Sequence, residues 1–507
     1  MAKQSLKINC SGSRCAPGKD VYSWSMRRIT VVMTVLCVVF LLSPTVRAEY
    51  PFDTDSFPVV WYDTLLDVSY PDDMAATGAN GIMAYWGNST PNGRHAFLNN
   101  AAAAGVSVIV GINEAFINPW NPVDVQGIID LVNLYKDYPA VVGWYTADEP
   151  YWVQGISFSK MQLAYNTIKS VDTKPVNICF SEPAVERGIP VAWKTAYDQF
   201  QIDSYPARRG ESEFSRMETK WKLDMQRTHE QSVLADRPWW SVMEAWGDDT
   251  GETSGYRLPT FNESRFMNYY SLSEETSGLM YFAYYRNEWF TPARPEEAYP
   301  YNGPQWQIDV FSPLAAEINT LGVALQNGKV AGVASDNKSD IRTDVYYDPD
   351  TGKYYLVTLN DTTGSETPTF TVNLNPPGEK VISATPLFEG ARPTIPIVGT
   401  QFSDEFSQYE VHVYELTTML LGDANRTGTV SADDYGSVQL NFGDTGAPGL
   451  PGDANGSGAV TADDYGSVQL YFGATRGMGG APVPEPATML LLSAAGVMML
   501  IRRRHIN

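Results

Sequence analysis

The stretch Val141-Val142-Gly143-Trp144-Tyr145-Thr146-Ala147-Asp148-Glu149-Pro150 decides how this chain is read. An apolar, β-branched and aromatic run of strand length stops at two carboxylates and a proline. Buried parallel strands deliver acidic side chains to the rim of a sheet in this way. Alone, Asp148 and Glu149 read equally well as caps of a following helix, because carboxylates suit a helix N-terminus. A second glutamate, Glu244, closes a later run, Trp239-Trp240-Ser241-Val242-Met243-Glu244, and tips the reading toward catalysis.

Outward from that stretch the same texture recurs at 58–63, 81–86, 106–113, 175–182, 199–205 and 278–286, so that eight strand-like runs alternate with helical or loop segments. Amphipathic candidates such as 125–135 and 157–170 lie between them. A β-then-α unit repeated eight times predicts a (β/α)₈ TIM barrel over 49–328, close to the typical length of about 250 residues. A doubly wound open sheet is the rival, but no Gly-rich phosphate fingerprint follows the first strand. In a barrel all strand C-termini open on one face, which brings Glu149 from the fourth strand and Glu244 from the seventh into one cup.

Composition narrows the chemistry. A formal net charge of -22 over 507 residues argues against nucleic acid or an anionic membrane as partner, because little is left to neutralise phosphates. Only four histidines occur, with His95 and His229 alone in the large middle region, so a histidine-rich zinc site is not expected. A barrel esterase or lyase is disfavoured for the same reason. Three of the four cysteines, Cys10, Cys15 and Cys37, precede residue 49, which leaves Cys179 as a core thiol without a disulfide partner.

On these residues the region from about 55 to 320 resembles the retaining TIM-barrel glycoside hydrolase superfamily. The Asp-Glu-Pro at 148–150 matches its strand-four motif and the glutamate of Trp-Ser-Val-Met-Glu-Ala-Trp its strand-seven motif. The resemblance implies that Glu149 is general acid and later base, that Glu244 is the nucleophile, and that Tyr205 hydrogen-bonds it. The two carboxyl groups would stand roughly 5 to 5.5 Å apart. Asp148 departs from the family, which has Asn before the acid/base; a carboxylate there changes the contact to the sugar 2-hydroxyl. Glu182 and Glu114, after strands five and three, are reserves. Trp86, Asn113, Trp246, Tyr285 and Arg286 fall at strand ends, where indole faces stack on pyranose rings and polar groups read hydroxyls. Trp120, Trp152 and Trp289 lie in the loops beyond.

From 329 to 418 short alternating strands separated by turns such as Asp348-Pro349-Asp350-Thr351-Gly352 predict an antiparallel β-sandwich, an accessory domain. A repeat follows at 419–475: the segment 422–440 recurs thirty residues later at 452–470. Oxygen-bearing side chains at loop positions one, three, five and twelve, with glycine at six, form the EF-hand arrangement for Ca²⁺. They are Asp423, Asn425, Thr427 and Asp434, then Asp453, Asn455, Ser457 and Asp464. The pair resembles a type I dockerin, which implies two structural calcium ions and a possible cohesin-type partner; a calcium-folded spacer is the rival. Thr427 and Ser457 replace the acidic or amide ligand usual at position five.

The ends read as addresses. Arg27-Arg28 precede an apolar run and a small-residue site near 46–48, so 1–48 is a signal peptide region, with Met26 an alternative start and an uncleaved anchor the rival. At 476–507 a linker leads to Val483-Pro484-Glu485-Pro486, an apolar run and Arg502-Arg503-Arg504. That order resembles the PEP-CTERM sorting signal and implies exosortase and signal peptidase during export to the envelope or exterior. Two functions remain: a secreted glycoside hydrolase cleaving a polysaccharide with retention, or a non-catalytic glycan-binding surface protein attached through its dockerin-like module.

Overall fold

The computed structural model describes residues 56–63, 70–85, 91–112, 115–151, 153–247, 255–284, 304–374 and 378–476. All of them belong to one compact unit, Glu49–Asn507. Eight parallel strands form a closed barrel: β1 (Val59–Asp63), β2 (Gly81–Ala84), β3 (Ser107–Gly111), β4 (Val141–Tyr145), β5 (Val176–Ser181), β6 (Gln199–Asp203), β7 (Trp239–Glu244) and β8 (Leu279–Tyr284). β8 pairs back onto β1, with Val59 opposite Leu279. Helices follow the strands in turn: α1 (Tyr70–Ala76), α2 (Pro91–Ala103), α3 (Val125–Tyr135), α4 (Phe158–Lys169), the short α5 (Glu182–Glu186) and α6 (Ile189–Ala192), α7 (Lys222–Ala235), α8 (Phe261–Ser273) and α9 (Ser312–Thr320).

The two-residue period of a strand sorts the side chains. On β7, Trp239 and Met243 join the core between barrel and helices, whereas Trp240 and Val242 fill the barrel. Trp240 lies so close to the start of β8 that a Cβ on Gly278 would meet its ring at 2.5 Å, so only glycine fits there. Outside the barrel Trp61 packs on Phe311 with ring centroids 4.1 Å apart. Burial of one such side chain contributes about 1.5–3 kcal/mol. Where the sequence reading carried a strand to 205, the strand ends at Asp203, and the expected ends at 86, 113 and 286 lie outside the described residues.

Beyond the barrel lie a five-stranded antiparallel sheet, β10-β11-β16-β13-β14, and a three-stranded one, β15-β12-β9. They are built from β9 (Ala334–Asp336), β10 (Ile341–Asp348), β11 (Lys353–Asn360), β12 (Thr369–Val372), β13 (Glu379–Leu387), β14 (Ile395–Pro396), β15 (Gln401–Ser403) and β16 (Val411–Leu420). Tyr346, Tyr355, Val357, Val411 and Val413 of the larger sheet belong to the same apolar cluster as the barrel helices. Its other residues, with Phe370 and Phe402, close a second core. Arg265 of α8 bridges the two bodies, paired with Glu317 at 2.9 Å and donating to the Val411 carbonyl at 2.6 Å.

Two matching helices, α10 (Ala432–Leu440) and α11 (Ala462–Leu470), end the described chain. Each opens with a capping box, Ser431 with Asp434 and Thr461 with Asp464, which satisfies the orphan N–H groups of the first turn. The repeats interlock symmetrically: Gly422 donates to the Ala454 carbonyl at 2.8 Å and Gly452 to that of Ala424 at 3.0 Å.

Candidate active site

Where β4 ends, the chain does not leave the sheet at once. The Cys179 N–H donates to the Ala147 carbonyl at 3.2 Å and the Glu149 N–H to the Cys179 carbonyl at 3.1 Å, so Glu149 rides beside β5. Its φ is 44°, a left-handed conformation in a residue that has a Cβ. Such a position costs of order 1–3 kcal/mol and persists only when its surroundings hold it. Here Val153 and Gln154 donate to the Glu149 carbonyl at 3.1 and 3.3 Å. Pinned from both sides, the side chain faces a cavity of about 200 Å³.

Tyr62, Tyr145, Asp148, Glu149, Cys179, Gln201, Asp203 and Tyr205 line that cavity together with Val242, Met280 and Phe282. Three carboxyl groups therefore share one partly desolvated space. Burial and then the charge of Asp148 push the Glu149 carboxyl up to about 7, with Glu182 adding to the rise and the Ser181 hydroxyl opposing it. Burial followed by Glu149 and Asp148 moves Asp203 up as well. The Tyr145 hydroxyl donates to Asp148 Oδ1 at 2.8 Å. Burial raises the phenols of Tyr62, Tyr145 and Tyr205, with Asp148 the next cause for the first two and Asp203 for the third, so all three remain protonated hydroxyls.

Glu244 ends β7 two residues beyond Val242, on the inward-facing side of the strand. It is 1% exposed. Its Oε2 accepts the Ala207 N–H at 2.7 Å, while Oε1 is buried without a hydrogen-bond partner. Burial pushes its carboxyl well up, against the Ala207 N–H and the charge of Arg208. It does not itself line the cavity, which Glu149, Asp148 and Tyr205 do.

The other expected residues separate. Trp246 packs against Tyr256 with centroids 4.6 Å apart and edge-on to Tyr205 at 5.9 Å, behind the cavity wall. Glu182 opens α5 and pairs with Lys220, which also reaches Asp224 at 3.1 Å. Trp120 is 88% exposed. Trp86, Asn113, Tyr285 and Arg286, with Glu114, Trp152 and Trp289, lie outside the described residues, as do the leader and the sorting tail. Sequence reading passed over Asp203 and Gln201. The signal was present: in 199–203 the alternate residues Gln199, Gln201 and Asp203 form a polar stripe, while Phe200 and Ile202 join the outer core.

The repeat loops hold a second constellation. Asp423 accepts from the Thr427 and Gly428 N–H groups at 3.0 and 2.8 Å, and Asp434 from Asn425 and Ser431 at 3.0 and 2.7 Å. Asp453 and Asp464 repeat this with Ser457, Gly458, Asn455 and Thr461 at 3.0, 2.9, 3.0 and 2.8 Å. Asp434, Asp453 and Asp464 are fully buried. Each loop thus gathers two buried carboxylates, an amide and a hydroxyl, and this all-oxygen donor set suits a hard cation such as Ca²⁺.

No protein-family model matches the chain, and no curated protein does. Among solved structures it is similar to a family 5 glycoside hydrolase from Bacteroides vulgatus, at 13% identity and TM-score 0.47, over 71% of this chain and 89% of that one. A family 30 endoxylanase from Clostridium papyrosolvens is similar at 12% identity and TM-score 0.43, over 72% and 96%. A further structure named only as a glycoside hydrolase is similar at 14% identity and TM-score 0.46, over 71% and 92%. At scores this low the chemistry rests on the residues of the cavity.

Proposed function

We propose that the chain is a glycoside hydrolase whose barrel cavity takes one sugar ring of a polysaccharide or oligosaccharide. The observation that carries this reading is Glu149, a carboxyl held near neutrality at the barrel mouth and aimed with Asp148 and Asp203 into a cavity of about 200 Å³. A group of that acidity is a general acid for an oxygen leaving group, and the three phenols beside it supply donors to ring hydroxyls.

In the retaining scheme Glu149 gives its proton to the glycosidic oxygen as the bond to the anomeric carbon breaks. The Glu244 carboxylate attacks that carbon and forms an ester. Glu149, now ionised, takes a proton from water, whose oxygen displaces Glu244 and restores the acid. The unpartnered Glu244 Oε1 supports this role; Arg208 and Arg257 favour its charge, while burial, the larger effect, holds the carboxyl well up. The test is hydrolysis of an aryl glycoside and polysaccharide panel, followed by proton NMR for the anomer first released. Glu149→Gln and Glu244→Gln should each abolish turnover; a parent chain that only binds glycans removes the enzyme reading.

The loops Asp423–Asp434 and Asp453–Asp464 are proposed calcium sites that hold the C-terminal helix pair together, with a cohesin-type receptor as the partner class. Export through the leader and sorting tail, toward the envelope or exterior, is part of the same proposal. Fractionation of cells carrying a tail-truncated chain tests it.

A further inference from the structure

The strand register separates the carboxylates in a way the sequence did not display. Asp203 pairs with Ser181 on one side and with Val242 on the other. Glu244 therefore lies two residues, roughly 6–7 Å of strand, beyond the level of Asp203. Glu149, bonded to Cys179 on β5, flanks that strand on the side opposite β6. Across β5 from the acid, Gln201 stands opposite Cys179 and Asp203 opposite Ser181, and of the two residues facing the same cavity Asp203 carries the carboxyl. Its Oδ1 is buried without a hydrogen-bond partner, and the amide atoms of Gln201, fully buried just below, lack partners too.

Resting on the glycosidase reading, we propose that Asp203 is a positioning residue for the acid Glu149: the two carboxyls line one cavity, from β6 and from the chain beyond β4, and as a pair retain one proton. Two carboxylates sharing a desolvated space cannot both ionise, so the pair keeps a proton at a pH where a lone acid has lost it. Asp148 and Glu182 raise Glu149 in the same direction, and Asp203 adds a further carboxyl facing the same cavity. Asp148 is tied to Tyr145, Glu182 is paired with Lys220, and Tyr62, Tyr205 and Cys179 stay neutral through burial. Burial, Glu149 and Asp148 all act on Asp203 in one direction, toward retention of the proton.

The measurement is ¹³C NMR of the full chain with labelled glutamate, the Glu149 carboxyl assigned by its loss in Glu149→Gln. In the parent chain the Glu149 signal should titrate near pH 7. In Asp203→Asn it should titrate as a single group at lower pH than in the parent, and in Asp203→Glu the parent behaviour should return. The kinetic counterpart is the alkaline limb of kcat/KM. For Asp203→Asn it should begin at lower pH than in the parent, while the acid side keeps its shape. An unmoved Glu149 titration, or a loss of rate equal at every pH, overturns the proposal. Should Asp203→Asn fail to fold, the parent and Asp203→Glu titrations decide alone, since a parent Glu149 that behaves as one isolated group is enough to refute it. Because the titration needs no substrate, an inactive chain would sink the glycosidase reading without touching this one.

Discussion

The Tyr145 hydroxyl donates to Asp148 Oδ1 across 2.8 Å, tying the last residue of β4 to the first carboxylate beyond it. Both line the cavity, so the bond fixes a charge that raises Glu149. A hydrogen bond to a charged group contributes about 1.5–3 kcal/mol. Tyr145→Phe should lower the denaturant midpoint by a corresponding amount with an unchanged m-value. An unchanged midpoint would show that Asp148 is held by something else.

Glu149 makes stability depend on pH in a definite direction. Its folded pKa, about 7, exceeds the ordinary carboxyl value of 4.5, so the folded state binds the proton more tightly than the unfolded chain. That contribution is full below pH 4.5 and is lost as pH rises toward 7. Glu149→Gln cannot ionise, and its unfolding free energy should decline less between those values than that of the parent. Parallel curves for the two proteins would contradict the assigned titration.

Glu244 is fully buried with a strongly raised carboxyl, so a neutral isostere keeps what the fold needs. Glu244→Gln retains an oxygen for the Ala207 N–H and should change stability by less than about 1 kcal/mol at pH 7. Glu244→Leu strands that N–H and should cost about 1–3 kcal/mol. Thermal melts of both variants separate the structural contribution from the loss of activity expected of either.

Arg265 is buried against Glu317 and the Val411 carbonyl, joining barrel and sheet. Its removal leaves Glu317 an uncompensated buried charge, a change worth about 3–5 kcal/mol. Arg265→Ala should lower the melting temperature of barrel and sheet together, as followed by calorimetry. Two separate transitions in the parent would argue against their shared core.

Calcium should stabilise the repeat helices by mass action, about 2.7 kcal/mol at one hundred times Kd. Chelation should lower helicity and melting temperature reversibly. Asp434→Ala should remove one of two sites in a calorimetric titration, because Asp434 closes its loop through both Asn425 and Ser431.

The barrel, the order of its strands and the antiparallel sheets after it were legible because each rests on local periodicity. Runs such as Val-Val-Trp-Tyr-Asp at 59–63 carry their two-residue alternation wherever they fold, and turn residues such as those at 348–352 mark their ends. Glu149 was visible for the same reason: an acidic residue at the end of a buried run has to sit at the mouth. Asp203 escaped notice because one carboxylate closing a strand looks like any other polar terminus.

Closure of the sheet decided what periodicity could not. Register, a property of pairs of strands rather than of any one of them, set Asp203 against Val242 and left Glu244 two residues further along. It thereby chose which acids share a cavity with Glu149. The chain alone specified which residues face inward, since that follows from alternate Cβ directions along each strand. Only the folded barrel specified at what height each one stands, since that depends on hydrogen bonds between segments far apart in sequence.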